Sequence, residues 1–259
     1  MIQEISFDIP QLHSMRKYPP HLFYKGNLEL LQKRKISIVG SRKLNPYAKE
    51  LTCKLASKLS NAGVCVVSGG AIGADTIAHL HAGTHNTIMV AGTGLDKRYP
   101  AINARMIQSI EENGLVLSQF AIGTPSAKYN FPLRNELIVA LGEVIVVAYA
   151  DIGSGSMRSV EYALKMQKEI FVFPHRLGES QATNDLLSQG FAKCIYDIDA
   201  FVALHSDAII TQSAADPFLV FCDLQPSLFE ALGTFGELVY EYELQGLIKI
   251  INGKIVRLS

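Results

Sequence analysis

The chain has 259 residues, 48% of them hydrophobic, and its 24 basic residues balance 24 acidic residues to a formal net charge of zero. This composition predicts a sizeable core, and the zero net charge argues against a generic polyanion binder. No apolar run approaches the roughly 18 residues of a membrane helix, and the N-terminus has no signal-peptide pattern, so we expect a cytoplasmic protein with no membrane partner.

The charge is unevenly distributed along the chain. Residues 1–60 carry eleven Lys or Arg against four Asp or Glu, whereas residues 196–259 carry three basic residues against nine acidic ones. A nucleic-acid surface is therefore expected on the first part of the chain, as a local patch. The four cysteines have no metal-type spacing and are expected to be buried thiols, namely Cys53, Cys65, Cys194 and Cys222.

The first strong pattern is a predicted strand that ends in the sequence VGSRK. Gly40 permits a tight turn, Asn45 can cap the following helix, and Pro46 suits its first position. Backbone N–H groups and the positive end of a helix would then face the strand's carboxyl edge, which is the geometry of an anion site. Arg42 and Lys43 beside it indicate a phosphate, although they are alternatively solvated turn residues.

From residue 35 onward, short apolar strands alternate with amphipathic helices. The predicted strands are Lys35–Val39, Val64–Val67, Thr87–Val90, Leu115–Leu117, Val144–Ala148 and Ile170–Phe173. The predicted helices are Tyr47–Ala62, Asp75–His81, Ala101–Asn113, Leu133–Leu141 and Met157–Gln167. This order predicts an α/β fold with a Rossmann-like, doubly wound, mostly parallel sheet that binds its ligand at the carboxyl ends of the strands.

Glycine-rich turns follow four of these strands and predict an extended anion-binding rim: Gly40-Ser41, Ser68-Gly69-Gly70, Gly92-Thr93-Gly94 and Gly153-Ser154-Gly155. The sequence SGGAIG nearly fits a dinucleotide fingerprint, but no acidic residue ends the next strand to hold a ribose. A Walker A lysine-serine pair is also missing. We therefore expect no cofactor.

The segment KYNFPLRNE places cations among aromatic rings. Lys128, Arg134 and Asn135 can follow a phosphate backbone, while Tyr129 and Phe131 can stack on bases, as single-strand binders require. The alternative is a packed aromatic loop with solvated charges.

The histidines and acids of the first domain predict neither a metal site nor a catalytic centre. His79 and His81 point about 200° apart on a helix, so they and His85 are expected to be surface residues. Asp75 is expected to cap its helix. No Ser/His/Asp or Cys/His order is present.

The chain changes character after about residue 206. We expect a domain over residues 1–206, with residues 1–34 as an N-terminal extension, a linker over 207–216 and a small winged-helix-like domain over 217–259. In that tail, predicted helices around Phe218–Cys222, Ser227–Leu232 and Glu237–Leu244 precede two strands joined by Asn252-Gly253, a strong hairpin signal.

The predicted helices of the tail are acidic, which argues against duplex DNA as its ligand. The segment Ser227–Leu244 carries four glutamates and no Lys or Arg. Phosphate repulsion therefore predicts weak or no duplex binding and a protein-docking role. Phe229, Phe235 and Tyr240 are candidate contacts, or alternatively core residues.

Six motifs occur in a fixed order: VGSRK (Val39–Lys43), SGGAIGAD with AH (Ser68–Asp75, Ala78-His79), GTGLD with YP (Gly92–Asp96, Tyr99-Pro100), FPLRN (Phe131–Asn135), SGS (Ser154–Ser156) and TNDLLSQG (Thr183–Gly190). Together they resemble the DNA-processing protein A family, DprA or Smf, of bacterial natural transformation. The resemblance covers residues 18 to about 205, and the tail resembles a small domain that many members carry.

This resemblance implies a non-enzymatic homodimer that binds single-stranded DNA without sequence preference, protects incoming DNA and helps load the RecA recombinase. Carried onto this sequence, it implies a DNA site formed by Gly40, Ser41, Arg42, Lys43, Ser68, Gly69, Gly70, Lys128, Phe131, Arg134, Asn135, Ser154 and Gly155.

Three positions depart from the family pattern. Ile72 and Glu136 stand where the family usually has arginines, and Met157-Arg158-Ser159 replaces the usual threonine-alanine after SGS. The two lost cations would affect affinity or the path of the strand, but not the fold.

Two other functions remain open at this stage. The sequence GSGSMRSVE is similar to a motif of Rossmann-like enzymes that cleave nucleoside monophosphates, with Glu161 as the catalytic acid. Alternatively, the chain is a recombination adaptor that acts mainly through protein contacts.

Overall fold

The structure is a computed structural model that describes residues 1–206, 217–236, 238–244 and 247–257. The chain divides into two separately packed units, Met1–Ala208 and Ile209–Ser259. The predicted linker, residues 207–216, lies outside the described residues. Over the described ranges, every helix is too short or too polar to cross a bilayer.

Nine strands of the first unit form one sheet in the order β1-β2-β6-β5-β4-β3-β7-β8-β9. Strands β3 to β9 are parallel to one another, while β2 pairs antiparallel with β6 and β1 antiparallel with β2. This confirms the predicted α/β fold with a mostly parallel sheet. The strands are β1 (Gln3–Glu4), β2 (Phe23–Gly26), β3 (Lys35–Val39), β4 (Cys65–Gly69), β5 (Thr87–Val90), β6 (Leu115–Ser118), β7 (Val144–Val147), β8 (Ile170–Val172) and β9 (Lys193–Cys194).

Helices cover both faces of this sheet because its central strands are apolar on both sides. In β7, for example, Ile145 and Val147 join one core cluster while Val144 and Val146 join the other. The helices are α1 (Pro46–Asn61), α2 (Ala74–Ala82), α3 (Ala104–Asn113), α4 (Asn130–Leu141), α5 (Ser156–Lys165), α6 (Gln181–Ser188) and α7 (Ile198–His205).

The strand order contains a topological switch between β3 and β7. From β3 the chain adds β4, β5 and β6 on one side of the sheet, then crosses to add β7, β8 and β9 on the other side. The loops that leave the carboxyl ends of β3 and β7 run in opposite directions and leave a crevice between them. In such sheets this crevice is the usual ligand site.

Residues 1–34, the predicted N-terminal extension, pack into the first unit. They supply β1 and β2 at the sheet edge and six buried core residues, Ile9, Leu12, Met15, Leu22, Leu30 and Leu31. A short 3-10 helix, Pro10–Ser14, packs against α4. The sequence pattern missed these strands because each is short, with β1 exposed and β2 only partly buried.

The second unit contains three helices followed by a hairpin, α8 (Pro217–Asp223), α9 (Leu228–Phe235), α10 (Leu238–Leu244), β10 (Ile248–Ile251) and β11 (Lys254–Arg257). Asn252 and Gly253 have positive φ values of 52° and 74°, as the predicted type I′ turn requires. Ser227 and Glu230 form a capping box at the start of α9. This order of elements is compatible with the predicted winged-helix-like domain.

Candidate nucleic-acid interface

A cavity of about 430 Å³ lies at the topological switch, and we call it the switch cavity. Its walls come from the turn after β3, the loop and first turn that connect β4 to α2, the first three turns of α4, and the loop between β7 and α5 with the start of α5. Nine of the thirteen predicted site residues line it: Gly40, Ser41, Arg42, Lys43, Phe131, Arg134, Asn135, Ser154 and Gly155. The sequence pattern thus identified a set of residues that the fold brings together.

The turn after β3 is clamped between two neighbouring elements. The backbone N–H of Ser41 donates to Tyr149 O at 2.8 Å, and Ser41 O accepts from Ala74 N at 3.1 Å. Gly73 makes this close approach feasible, because a Cβ at its φ of 93° would stand 2.5 Å from Ser41 O. A rigid turn holds the following side chains at the mouth of the cavity.

Arg42 and Lys43 are exposed at this mouth, and within the described ranges neither forms an ion pair with a carboxylate. Other cations from the basic first part of the chain are instead neutralised, in the pairs Lys25–Glu111, Arg34–Glu143 and Lys58–Asp199. The switch cavity therefore keeps two exposed cations, Arg42 and Lys43, at its mouth.

The helix whose first residue lines the switch cavity is α5 rather than α1. Ser156, its first residue, lines the cavity directly after the Ser154-Gly155 turn. In contrast, Asn45 caps α1 as predicted, with its Oδ1 accepting from Ala48 N at 2.7 Å, but α1 begins at a neighbouring cavity. The predicted positive end of a helix is thus present at the switch cavity, but it belongs to α5 and not to α1.

Arg134 is a buried cation in the cavity wall, not a solvated one. Helix α4 begins at Asn130, earlier than the predicted start after Pro132, which places Arg134 in the second turn with 5% of its surface exposed. Its Nη1 donates to Val90 O at 3.1 Å and lies 3.8 Å from the Oδ2 atom of Asp75.

Asp75 is the partner of this guanidinium and does not cap α2, whose N-cap position is Gly73. Its Oδ2 accepts from Ala71 N at 3.3 Å. Burial raises the pKa of the Asp75 carboxyl, and the neighbouring Arg134 guanidinium opposes that rise. Burial likewise lowers the pKa of Arg134, against the effect of Asp75, but a guanidinium remains charged.

Three residues of the cavity wall have a buried polar atom without a hydrogen-bond partner in the described part of the chain. These atoms are Arg134 Nε, Ser154 Oγ and Ser159 Oγ. Leaving a buried polar group unpaired costs about 1–3 kcal/mol. All three are donors, so an anionic oxygen atom in the switch cavity would be a suitable partner for them.

Phe131 separates the switch cavity from a smaller one of about 70 Å³, which we call the small cavity. The half-buried Phe131 ring has its centroid 5.8 Å from that of the Tyr99 ring. A Cβ on Gly92 would stand 2.9 Å from Cδ1 of Phe131. Ile72, which replaces a usual arginine, lines the small cavity and is 48% exposed. An aromatic ring therefore stands beside the cationic group.

Four predicted site residues lie outside the switch cavity. Ser68 and Gly69 are buried beneath it, and the Ser68 hydroxyl donates to Ile38 O at 2.6 Å, so their position is a supporting one. Gly70 lines the small cavity. Lys128 is exposed in the loop before α4 and lines neither cavity.

The prediction that His79 is a surface residue is wrong. It is 1% exposed, with Nε2 donating to Gly69 O at 2.6 Å and Nδ1 2.7 Å from the Thr87 hydroxyl. Burial lowers its pKa to about 4, so the ring is neutral. His81 and His85 are exposed, and the described ranges contain no cluster of metal ligands.

Glu136 and Glu161 lie away from the switch cavity, whereas Ser159 forms part of its wall. Glu136 faces the N-terminal segment, where its Oε1 accepts from Arg16 N at 2.8 Å. Glu161 is exposed and pairs with Arg158 at 2.8 Å without lining the switch cavity. Ser159, however, lines the cavity three residues after Ser156, on the same face of α5.

Four polar residues that line the switch cavity were not among the predicted site residues: Asp75, Asp151, Ser156 and Ser159. The spacing of the two serines at the start of a predicted helix was the available signal for them. The formal charges of Asp75 and Asp151 offset two of the three cations that line the switch cavity. The lining residues therefore carry one net positive formal charge; the cations are Arg42, Lys43 and Arg134.

Sequence comparisons relate the chain to proteins of DNA processing. It matches the family model described as DNA recombination-mediator protein A over residues 5–206. It is 39% identical over 176 residues to DNA processing protein DprA of Streptococcus pneumoniae, covering 66% of this chain and 62% of that protein. It is 34% identical over 186 residues to protein Smf of Escherichia coli, covering 70% and 50%. The chain thus spans less than two thirds of either relative.

Two solved structures share the architecture. A structure of DNA processing protein A from Helicobacter pylori, described for its single-stranded DNA binding mode, superposes with a TM-score of 0.77 at 38% identity, covering 79% of this chain and 95% of that chain. The DprA structure from Streptococcus pneumoniae gives a TM-score of 0.71 at 35% identity, covering 79% and 73%.

Proposed function

Because the chain belongs to the DNA recombination-mediator protein A family, we propose that it binds single-stranded DNA without sequence preference through the switch cavity. The observation that carries this proposal is the grouping in one cavity of two exposed cations, three unpartnered donors and an aromatic ring. Cations and donors suit phosphates, and a ring suits any base, and this combination is typical of proteins that bind single strands.

Each part of the site has a separate role in this proposal. Arg42 and Lys43 attract the backbone, and the donors of Arg134, Ser154 and Ser159 hold one phosphate in the cavity. Phe131 stacks on a base at the cavity's edge. A ring face does not distinguish one base from another, so the proposed binding depends on backbone charge and stacking.

We extend the proposal to the biological role that family membership supports. The chain would act in the cytoplasm as a homodimer that protects incoming single-stranded DNA and helps load the RecA recombinase. Residues 1–206 would bind the DNA without catalysing a reaction. Residues 217–259 would form a winged-helix-like docking module for a protein partner, joined through residues 207–216.

The alternative enzymatic function lacks support from the position of its catalytic acid. A phosphoribohydrolase would need Glu161 at the ligand, yet that carboxylate is exposed, paired with Arg158 and outside the switch cavity. The adaptor alternative differs from the proposal only in treating DNA binding as incidental.

One experiment separates the three functions. A fluorescent mixed-sequence single strand is titrated with the full chain at several salt concentrations, while nucleoside monophosphates are incubated with it and assayed for free base. We expect salt-dependent binding and no base release. Base release would favour the enzyme, and absence of binding even at low salt would favour the adaptor.

A further inference from the structure

A second cavity opens beside the switch cavity at the same edge of the sheet, and we call it the Tyr47 cavity. Its volume is about 520 Å³, and it lies between the start of α1 and the turn after β8. The family motifs do not include the residues that form its far wall, Pro174, His175, Arg176 and Glu179.

The ring of Tyr47 is held in place but remains partly open to solvent. His175 meets it edge to face, with ring centroids 5.9 Å apart at an interplanar angle of 83°. His175 is itself fixed, because its Nε2 donates to Ala148 O at 3.0 Å and its ring lies 5.2 Å from Tyr149. Tyr47 nevertheless remains 44% exposed. A ring that is already ordered loses little entropy when a flat ligand stacks on it.

Polar groups surround this ring. Glu179 Oε2 accepts from Asn45 Nδ2 at 2.9 Å, which fixes the carboxylate at the cavity wall. Nδ1 of His175 is buried and has no partner among the described residues. Arg176 is exposed, and the described part of the chain provides no carboxylate that pairs with it. A nucleotide has a flat base, polar groups and a phosphate. The exposed ring, the hydrogen-bonding groups and the exposed cation of this cavity are suited to contact them.

The position of the cavity relates it to the proposed DNA path. Strands β3, β7 and β8 are consecutive neighbours in the sheet. With adjacent strands about 4.8 Å apart, the carboxyl ends of β3 and β8 are separated by about 10 Å. That distance corresponds to about three stacked nucleotides at about 3.4 Å each.

We propose that the Tyr47 cavity is a second nucleotide subsite, in which Tyr47 stacks on a base and Arg176 contacts the adjacent phosphate of the strand held in the switch cavity. This inference rests on the proposed function, since it takes the switch cavity as the primary DNA site. The strand then follows the sheet edge from the small cavity across the switch to β8.

The test compares two single strands of equal length, an oligothymidylate and a fully abasic strand that keeps the phosphates but has no bases. Tyr47→Ala should weaken thymidylate binding between about 5-fold and about 150-fold, the effect of losing one stacked base, and leave abasic binding unchanged. Tyr47→Phe should bind like the wild type because it keeps the ring. Phe191→Ala is the matched control, since Phe191 is 50% exposed just before β9, at the amino end of the parallel strands, whereas the Tyr47 cavity lies at their carboxyl ends.

A second variant tests the phosphate contact and does not depend on Tyr47. Arg176→Gln should weaken both strands and lower the slope of log affinity against log salt by about 0.7. The proposal would be overturned by unchanged thymidylate binding in Tyr47→Ala, by equal losses on both strands, or by an unchanged salt slope in Arg176→Gln. Failure of the proposed function itself has a different signature, namely no strand binding by the wild type or no effect of Arg42→Ala.

Discussion

The guanidinium of Arg134 lies directly against the backbone of Gly69. A Cβ at position 69 would stand 1.5 Å from Arg134 Nη1 and 2.5 Å from Asp75 Oδ2. The glycine therefore provides the space in which the buried ion pair forms. The SGG motif contributes to the site because position 69 has no side chain that would displace Arg134 or Asp75. This explains why a residue predicted to contact DNA is found beneath the cavity.

Gly69→Ala should consequently displace the Arg134 side chain and separate it from Asp75. Breaking a buried ion pair in this way lowers the free energy of unfolding by roughly 3–5 kcal/mol, so we expect a lower melting temperature. Because Arg134 lines the switch cavity, we also expect weaker single-strand binding. Gly233→Ala is the control, because a Cβ there meets nothing within 4 Å and the residue lies in helix α9. Normal stability and binding in Gly69→Ala would contradict this role.

Arg42→Ala should weaken single-strand binding to a similar extent for all sequences, because a phosphate contact does not read bases. The salt slope should fall by about 0.7, the value for one neutralised phosphate on a single strand. Lys165→Ala removes an exposed cation from the last turn of α5 and serves as the control. A folded Arg42 variant with the wild-type salt slope would rule out the phosphate contact.

Phe131→Ala should cost about 1–3 kcal/mol of binding free energy and leave the salt slope nearly unaltered, since stacking involves no counterion release. The ring also packs against Tyr99, so melting temperature must be measured in parallel. Tyr129→Ala is the matched control, because Tyr129 is 72% exposed and lines neither the switch cavity nor the small cavity. A large loss of stability with unchanged affinity would show that Phe131 is purely a core residue.

The neutral, buried His79 should make the fold acid-sensitive. Its pKa is about 4 in the folded state, below the usual value of 6.5, so below pH 6.5 the unfolded chain binds a proton that the folded chain does not. The free energy of unfolding should therefore fall by up to about 3 kcal/mol as pH drops from about 6.5 to about 4. Denaturant titrations should show a shallower decline for His79→Gln, and identical pH profiles would contradict the assignment.

The second unit should contribute little to duplex DNA binding. Glu230, Glu241 and Glu243 lie on its last two helices, and Arg257 of the hairpin pairs with Asp223 at 2.9 Å; Glu237 lies outside the described residues. We expect a full chain carrying Lys249→Ala and Lys254→Ala to bind duplex DNA as weakly as the wild type at physiological salt. A clear loss of duplex affinity in this double variant would assign DNA binding to the tail.

The candidate docking residues of this unit divide into core and surface. Phe235 packs with Phe218 and Phe221, whereas Phe229 is 87% exposed and Tyr240 is 48% exposed. The core interpretation therefore holds for Phe235, and the two exposed rings remain candidates for a protein contact.

Local patterns in the sequence were sufficient to predict the central strands, most of the helices between them and the hairpin turn of the second unit. Strands β3 and β5 begin and end at the predicted residues, Asn45 caps α1, and Asn252-Gly253 forms the hairpin turn. Each depends on backbone preferences and apolar spacing over a few neighbouring residues, which the sequence displays directly. The carboxyl-end rule for parallel strands then placed the turns at one edge.

Burial of individual polar side chains was decided only by the tertiary structure. Arg134, His79 and Glu136 are charged or polar residues on helices, yet their partners, Val90, Thr87 and Arg16, lie on other elements of the fold. A polar side chain can be buried only where groups on neighbouring elements satisfy it, and the pattern of its own helix does not identify those groups. The sequence identified nine of the residues that surround the switch cavity, while the packing of β5, α2 and the N-terminal segment determined which polar side chains are buried and which remain exposed.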